Sequence, residues 1–255
     1  MKTVTGHHFT GIIPARYAST RFPGKPLAII GNKPMIQLVY ERVSTTLENV
    51  YVATDDIRIA DAVNSFGGKV IMTSPAHKSG TDRCAEAIGK IENETGGRID
   101  IIINIQGDEP FIRPEQIELL LSCFDDENVE IATLIRKVDK NEELNNVNHP
   151  KVIISTKGDA IYFSRSVIPF YQSEDEKLWQ LKHTYYKHIG IYGYKRDTLL
   201  KITALEQGSL ELAEGLEQNR WIENGIRIRT AVTPWESIAI DTPPDLEVAN
   251  KLIRK

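Results

Sequence analysis

Apolar and polar positions divide the chain into two kinds of segment. Short, almost wholly apolar runs predict buried strands, and the clearest runs from Ile101 to Ile105 before it stops at Gly107-Asp108. Segments with an apolar residue every three or four positions predict helices, as in residues 35–47. The two kinds alternate over residues 9–124, which predicts right-handed crossovers in a mostly parallel sheet.

The same pattern gives approximate bounds for the elements. In the first half of the chain it predicts strands at 9–13, 49–54, 69–73 and 100–105, and helices at 35–47, 57–66, 84–91 and 114–124. Farther on it predicts strands at 131–136, 152–156, 160–164, 186–195 and 226–232, helices at 197–205 and 209–221, and a terminal helix that ends at Arg254. A polar insertion at 139–150 and a charged connection at 173–181 separate some of these elements.

These elements predict an α/β fold with a Rossmann-like, mostly parallel sheet covered by helices on both faces. Residues 9–136 and 196–255 are predicted to form this core. Residues 137–195 are predicted to form a smaller α+β lobe that binds a second substrate, pairs subunits, or does both. Apolar residues such as Ile168, Phe170 and Trp179 are expected to be exposed on that lobe, which favours pairing of subunits.

Composition restricts the function classes. The chain of 255 residues is 41% hydrophobic and 26% charged, as expected of an ordinary globular protein. Its net charge of −4 argues against nucleic-acid binding, and no apolar run is long enough to span a membrane. Cys84 and Cys123 lack a CxxC spacing and fit a reducing compartment, so a cytoplasmic location is predicted.

The first strand leads into a loop at residues 14–27 that carries several basic side chains. Three prolines and a glycine exclude a continuous helix or strand there. Arg16, Arg21 and Lys25, together with the hydroxyls of Ser19 and Thr20, suit a phosphate chain at the carboxyl end of a strand. The sequence is neither a Walker loop nor a GxGxxG turn. The alternative is a solvated basic loop.

Two aspartates follow apolar segments far apart in the chain, at Asp108 and Asp241. Asp108 follows a predicted strand, and an aspartate at the carboxyl end of a strand suits a hard cation such as Mg²⁺. The two aspartates, both at loop positions, could converge on one ion. Helix capping is the alternative for both: Asp108 before the helix that Pro114 begins, and Asp241 before the last helix.

Seven segments then resemble one family in register, the sugar cytidylyltransferases, and among them most closely the enzymes that activate the acid sugar 3-deoxy-manno-octulosonate (Kdo). The segments are residues 13–27, 79–83, 104–110, 162–169, 188–194, 216–221 and 240–243. Together they extend over nearly the whole chain from residue 11.

The resemblance implies a reaction and its parts. CTP and Kdo would give CMP-Kdo and diphosphate with Mg²⁺, for lipopolysaccharide biosynthesis, in a cytoplasmic homodimer. It assigns catalysis to Arg16, Lys25, Asp108 and Asp241, with the two aspartates as metal ligands. The residues implied for CTP are Arg16, Ser19, Arg21, Lys25, Ser79, Gly80, Asp82 and Gln106. The residues implied for Kdo are Arg165, His188, Tyr192, Glu211 and Gln218.

The sequence departs from the family pattern at Lys187, where an arginine is more usual, and at Pro244, where an acidic residue is more usual. The first departure leaves an amino-substituted Kdo open as the sugar. Sialic acid as the acceptor is a second possibility. A nucleotide-binding regulator without activity is a third, although Lys25, Asp108 and Asp241 are all present. A dehydrogenase is disfavoured, because no GxGxxG follows the first strand.

Overall fold

The structure is a computed structural model that describes residues 6–19 and 21–253. Residues 1–5 lie outside the described residues. So do Thr20, whose hydroxyl was predicted to face phosphate, and Arg254, the predicted end of the last helix.

The elements follow one another as strands and helices of moderate length. The strands are β1 (Phe9–Ala15), β2 (Ile29–Ile30), β3 (Lys33–Pro34), β4 (Asn49–Thr54), β5 (Val70–Met72), β6 (Ile101–Asn104), β7 (Ile131–Lys137), β8 (Lys151–Ile154), β9 (Ala160–Ser164), β10 (Tyr186–Lys195) and β11 (Ile228–Val232). The α-helices are α1 (Met35–Ser44), α2 (Ile57–Ser65), α3 (Gly80–Thr95), α4 (Pro114–Ser122), α5 (Asn141–Leu144), α6 (Trp179–Lys182), α7 (Arg196–Thr203), α8 (Ser209–Glu214), α9 (Gln218–Glu223) and α10 (Pro243–Ile253). Single 3-10 turns lie at Lys25–Leu27, Cys123–Asp125 and Glu176–Leu178.

The chain divides into two compact units. Unit 1 comprises Met1–Glu118, Gly193–Thr203 and Ser237–Lys255, and unit 2 comprises Leu119–Tyr192 and Ala204–Glu236. Unit 2 contains residues 137–192 of the predicted lobe, together with residues 119–136 and 204–236, which the sequence analysis assigned to the core.

Unit 1 holds a parallel sheet in the order β6-β1-β4-β5. All four residues of β6 are buried, as expected of a strand covered on both faces. Side chains alternate along a strand, so Gly11 and Pro14 of β1 face opposite sides. A Cβ on Gly11 would come within 3.2 Å of Val43 in α1, and one on Gly80 in α3 would come within 3.2 Å of Pro14. The two helices therefore cover opposite faces of the sheet, and the predicted α/β fold class is confirmed.

Unit 2 combines parallel and antiparallel pairing. β11 runs parallel to β7, which lies between β11 and β10, while β8 pairs antiparallel with both β10 and β9. A small core forms where Trp179 packs with Val138, Leu144 and Tyr185. Trp179 is only 7% exposed, so the prediction that this residue is exposed was wrong. Phe170 is 73% exposed, as predicted.

Several predicted boundaries also need correction. The helix predicted at 209–221 is two helices, because Gly215 adopts a left-handed φ of 62° and ends α8. The helix predicted from residue 84 begins earlier, at Gly80, since Ser79 caps it. The polar insertion and the charged connection contain the short helices α5 and α6, respectively. None of the helices in residues 6–19 and 21–253 is long and apolar enough to cross a membrane.

Candidate active site

A cavity of about 330 Å³ opens in unit 1 at the carboxyl ends of β1 and β6. Its walls come from the basic loop, the N-terminus of α3, the segment after β6 and one residue before α10. The lining residues are Pro14, Ala15, Arg16, Ser19, Arg21, Lys25, Pro26, His77, Lys78, Ser79, Gly80, Arg83, Gln106, Gly107, Asp108 and Asp241. Cationic side chains outnumber the two aspartates, so the cavity suits an anionic ligand.

Seven of the eight residues predicted to bind nucleotide line this cavity, and the eighth does not. Asp82 lies in the first turn of α3, where its backbone N–H donates to Ser79 Oγ over 3.1 Å. Ser79 is thereby the N-cap of a helix of 16 residues, whose N-terminal N–H groups favour negative charge. A Cβ on Gly107 would lie 3.0 Å from the carbonyl oxygen of Pro14, so a small residue is required where the two strand ends meet.

The basic loop is held in shape by its own backbone and by one aromatic ring. The carbonyl of Tyr17 accepts hydrogen bonds from the N–H groups of Ser19 and Gly24, each over 2.9 Å. Gly24 has a left-handed φ of 72° and packs against the Tyr17 ring, which leaves little room for a side chain. The guanidinium of Arg58 lies 3.3 Å from the centroid of that ring. These contacts fix Tyr17, Ser19 and Gly24, which lie between Arg16 and Lys25.

Lys25 joins the two predicted metal ligands. Its Nζ lies 2.5 Å from Asp108 Oδ2 and 3.0 Å from Asp241 Oδ1. Arg21 adds a second cation, with its guanidinium 3.0 Å from the same Asp241 oxygen. The Lys25 side chain is only 14% exposed, so water screens these attractions less than at an open surface. The two carboxylates converge on one point at the cavity wall.

Neither aspartate caps a helix through its side chain, which removes the alternative role considered for both. Ahead of α10, the Asp245 carboxylate accepts hydrogen bonds from the N–H groups of Asp241 and Thr242, over 3.1 and 2.8 Å. Ahead of α4, the Arg113 N–H donates to Gln116 Oε1. The backbone N–H of Ile240 also donates to the Asp108 carbonyl over 2.9 Å, which ties the segments that carry the aspartates together.

The donor set fits a hard cation bound together with a phosphate chain. The two carboxylate oxygens lie 2.5 and 3.0 Å from one ammonium nitrogen, so they can be no more than 5.5 Å apart. Within the described part of the chain, no three His, Cys, Asp or Glu side chains gather as a metal site, so the pair would need further oxygen ligands. Mg²⁺ is commonly held in this way, by one or two carboxylates with phosphate oxygens and water.

The neighbouring Glu109 has a different environment. Its side chain is buried, and burial raises its pKa to about 7, with the nearby Asp108 charge contributing and the Ser237 hydroxyl acting in the opposite direction. Glu109 does not line the cavity. Of the two adjacent acids, Asp108 is therefore the one that faces the cavity.

The five residues predicted to bind the sugar all lie in unit 2, and the first of them is already bonded to protein. The Arg165 guanidinium donates to the carbonyls of Val147, Glu214 and Gly215, over 3.0, 2.7 and 3.3 Å. Glu214 also accepts from the Arg165 N–H through its carboxylate, over 2.9 Å. Arg165 thus holds the C-terminal end of α8.

The other four sugar-site residues are largely withdrawn from solvent. Glu211 and Gln218 are buried, and Glu211 pairs with Arg220 over 3.2 Å. Tyr192 is buried between the rings of His188 and Trp221, at centroid distances of 5.2 and 5.3 Å. The His188 ring is partly buried, and the loss of hydration lowers its pKa to about 3. The role of all five in sugar binding remains a prediction.

Comparison with known proteins identifies the chain at the family level. The model of the cytidylyltransferase family matches residues 10–228. This chain belongs to the cytidylyltransferase family. It is an enzyme of nucleotidyl transfer, as the sequence predicted.

Two curated relatives and one solved structure show how similar this chain is to known proteins. The 3-deoxy-manno-octulosonate cytidylyltransferase of Bacteroides thetaiotaomicron is 55% identical over 249 residues, which cover 96% of this chain and 98% of that protein. The enzyme of the same name from Thermodesulfovibrio yellowstonii is 49% identical over 246 residues, covering 95% and 96%. The structure of CMP:2-keto-3-deoxy-manno-octonic acid synthetase in complex with CTP superposes with a TM-score of 0.89 at 44% identity, covering 97% and 98%.

The cavity of this cytidylyltransferase has basic residues to which the sequence analysis gave no role. His77, Lys78 and Arg83 line it beside Ser79 and Gly80. His77 is hydrogen-bonded to Glu86, and the buried Arg83 donates to Thr73 Oγ1 over 2.6 Å and lies 3.3 Å from Asp55. Their position within or next to the segment Ser79–Arg83 was the available signal. Their partners Glu86, Thr73 and Asp55 do not line the cavity.

Proposed function

We propose that this cytidylyltransferase transfers the CMP unit of CTP to Kdo, giving CMP-Kdo and diphosphate for lipopolysaccharide biosynthesis. The observation that carries the proposal is the cavity at the ends of β1 and β6, where three loop cations face two convergent carboxylates. The similarity to enzymes named 3-deoxy-manno-octulosonate cytidylyltransferase supports Kdo as the acceptor.

Binding of the triphosphate would rest on charge and on fixed backbone donors. Arg16, Arg21 and Lys25 supply positive charge from one ordered loop, and the N-terminus of α3 adds N–H groups at Ser79 and Gly80. Lys25 now bonds to both aspartates, so its ammonium group already lies where phosphate and cation would meet. Gln106 lines the same wall and offers an amide to the nucleotide.

Asp108 and Asp241 would hold Mg²⁺, which when bound neutralises phosphate charge and lowers the pKa of a coordinated hydroxyl. The chain's own residues would fix the direction of the reaction. The loop cations hold the β- and γ-phosphates as the leaving group, so that the anomeric hydroxyl of the sugar attacks the α-phosphorus from the opposite side. No side chain is assigned as the general base.

The sugar would bind through residues of unit 2. His188, Tyr192, Glu211 and Gln218 offer aromatic surface and hydrogen-bonding groups for a polyhydroxylated acid. The Lys187 ammonium group is buried against Glu236 and Glu143, over 2.6 and 3.3 Å. The replacement of the usual arginine therefore lies in an internal ion-pair cluster. An amino-substituted Kdo remains the alternative acceptor.

A homodimer and a cytoplasmic location belong to the same proposal. Phe170 and Leu181 of unit 2 are 73% and 71% exposed, and exposed apolar residues of this size favour contact with a second copy. Sedimentation of the wild type and of Phe170→Asp would test this, because a homodimer interface at Phe170 predicts a shift toward monomer. The cytoplasmic location rests on the family resemblance and on the two cysteines, which are not bonded to each other.

The test of the reaction is diphosphate release with each of CTP, UTP, ATP and GTP, using Kdo or sialic acid as acceptor, with and without Mg²⁺. We expect release only with CTP, Kdo and the metal together. Release with sialic acid in place of Kdo would support CTP as the nucleotide and contradict Kdo as the acceptor. Tight CTP binding without release for any acceptor would indicate a nucleotide-binding regulator.

A further inference from the structure

The ring of His188 has only one hydrogen-bonding partner among the described residues. His188 lies on β10 and packs edge-on against Phe163 and obliquely against Tyr192, each at a centroid distance of 5.2 Å. Its Nε2 lies 3.0 Å from Thr133 Oγ1, whereas Nδ1 has no partner in the described part of the chain. Nδ1 is also not among the buried polar atoms of unit 2 that lack a partner, so it is open to solvent or ligand.

The surroundings of the Thr133 hydroxyl decide which ring nitrogen carries the proton. Thr133 is fully buried on β7, and its Oγ1 lies 2.7 Å from the carbonyl oxygen of Ile191 and 3.3 Å from that of Ile189. A carbonyl oxygen only accepts hydrogen bonds, and two oxygens at 2.7 Å repel unless a proton lies between them. The single hydroxyl proton therefore points to Ile191.

With its proton committed, the Thr133 oxygen can only accept at His188. The 3.0 Å contact then requires a proton on Nε2. Burial keeps the ring neutral at physiological pH, since it lowers the pKa of His188 to about 3. A neutral imidazole with its proton on Nε2 presents Nδ1 as a hydrogen-bond acceptor.

We infer that Thr133 is a positioning residue, which fixes His188 with its proton on Nε2 so that Nδ1 accepts a hydrogen bond from a hydroxyl group of the acid sugar. The inference rests on the proposed sugar site in unit 2. It adds the direction of one hydrogen bond, in which the sugar hydroxyl donates and His188 accepts. It assigns His188 to a hydroxyl group, because a neutral ring with a bare Nδ1 would repel the sugar's carboxylate. The carboxylate must then be bound by other donors.

The first measurement is the nitrogen-15 NMR spectrum of the histidine rings of the full-length protein without substrates, assigned with His188→Asn. We expect a neutral His188 ring with a protonated Nε2 and a bare Nδ1. A proton on Nδ1, or fast exchange between the two forms, would overturn the inference. This readout does not depend on any activity of the enzyme.

The second measurement compares Thr133→Val, which removes the hydroxyl at nearly constant volume, with Thr133→Ser, which keeps it. We expect Thr133→Val to lose the single protonation state and to raise KM for Kdo about 10-fold, with KM for CTP changed less than about 2-fold. Thr133→Ser should restore both properties. An equal rise of both KM values, or no change in KM for Kdo, would argue for a merely structural threonine.

The experiment separates this inference from the proposed function. A wild type that releases no diphosphate with Kdo contradicts the proposed function, while the protonation state of His188 still reports on Thr133. A wild type that is active with Kdo, combined with a Thr133→Val variant of unchanged KM for Kdo, contradicts the inference alone. If Thr133→Val does not fold, the wild-type spectrum decides the question, because a proton on Nδ1 overturns the inference without any variant.

Discussion

The residues predicted to bind the nucleotide and those predicted to bind the sugar differ in how far they are already bonded to protein. Around the cavity of unit 1, Arg16 is exposed, Arg21 pairs with Asp241, and Lys25 pairs with Asp108 and Asp241, the groups proposed to hold the metal. In unit 2, Arg165 is bonded to three backbone carbonyls and Glu211 pairs with the buried Arg220. The first set is a charged site that can exchange its partners for a ligand. The second is built into the framework of its unit.

This difference has an energetic consequence. A charge that faces a cavity is removed at less cost to folding than a fully buried one, because water and its neighbours compensate for part of the loss. A charge that is buried and paired leaves an uncompensated partner behind when it is removed. Substitutions in unit 1 should therefore act mainly on catalysis, and substitutions in unit 2 on both stability and sugar binding.

The largest effect is expected from the two aspartates, each changed to asparagine. Asp108→Asn or Asp241→Asn removes one of the two anionic metal ligands, and kcat should fall about 1000-fold, which corresponds to about 4 kcal/mol. The melting temperature should change little. Asp61→Asn, an exposed aspartate on α2, is the matched control and should keep full activity.

Diphosphate release at several Mg²⁺ concentrations checks this prediction. A loss that excess Mg²⁺ partly reverses would indicate weakened metal binding. Full activity in either variant at low Mg²⁺ would contradict the proposed metal site. It would also break the comparison, since the charges of unit 1 would then be structural like those of unit 2.

A second, smaller effect is expected when Lys25 is changed to methionine. The ammonium group lies between Asp108 and Asp241, and its loss removes a cation that the triphosphate would meet. We expect kcat/KM for CTP to fall about 100-fold, or about 2.7 kcal/mol, with KM for Kdo changed less. Lys251→Met, on the exposed side of α10, is the control. An equal loss for both substrates would assign Lys25 to holding the fold of the site.

How much of this contrast could be predicted from the sequence depends on the kind of signal. The basic loop and Asp108 follow strands β1 and β6, and the ends of parallel strands meet at one edge of a sheet, so the convergence of these two could be predicted. Asp241 follows an apolar segment that is not a strand, and its segment is tied to Asp108 by the Ile240 N–H, which the strand pattern could not predict. The end of helix α8 at Gly215 could not be predicted in this way, because a glycine within a helical pattern is often tolerated. The sequence pattern also did not decide which aspartate caps α10. Asp245 does so, and Asp241, four residues earlier, does not.

The contacts of unit 2 left even less signal. Arg165 donates hydrogen bonds to carbonyls that lie 18 to 50 residues away in the chain, and a local sequence pattern does not predict partners at such distances. Thr133 lies inside an apolar strand, where a threonine is an ordinary β-former. Its contact with His188 depends on the neighbouring position of β7 and β10, which the sequence analysis did not predict.

A third prediction tests how far the paired residues of the predicted sugar site stabilise the fold of unit 2. Glu211→Gln leaves the buried Arg220 with Glu217 as its one charged partner among the described residues of unit 2, beside the Leu205 carbonyl. We expect the free energy of unfolding to fall by about 2 kcal/mol, less than the cost of about 3–5 kcal/mol for a fully broken buried pair, because the glutamine carbonyl can still accept from Arg220. KM for Kdo should rise in the same variant.

Denaturant unfolding beside steady-state kinetics measures both effects, with the exposed Glu206→Gln as control. A Glu211→Gln variant of wild-type stability with a raised KM for Kdo would mean that this carboxylate is as available to a ligand as the groups of unit 1. The contrast between the two sites would then need revision.

The smallest effect is expected at Asp245, which supports the cavity without lining it. Its carboxylate accepts from the Thr242 hydroxyl and from the N–H groups of Thr242 and Asp241, and these bonds, led by the Thr242 hydroxyl, lower its pKa. Asp245→Ala should cost about 1 kcal/mol of stability at pH 7, as expected for a lost helix cap. A carboxyl with a lowered pKa stabilises the fold above its unfolded pKa, so the difference from wild type should fade as the pH falls below about 4.

Unfolding at pH 7 and at pH 3 measures that difference in stability. The matched control is Glu247→Ala, at an exposed position two residues farther along α10. Because Asp245 holds the backbone of Asp241, the variant should also need a few-fold more Mg²⁺ for half-maximal activity. Loss of stability without any change in the Mg²⁺ requirement would show that the Asp241 carboxylate is held by Lys25 and Arg21 alone. The open site of unit 1 would then depend on its charges and not on the helix behind it.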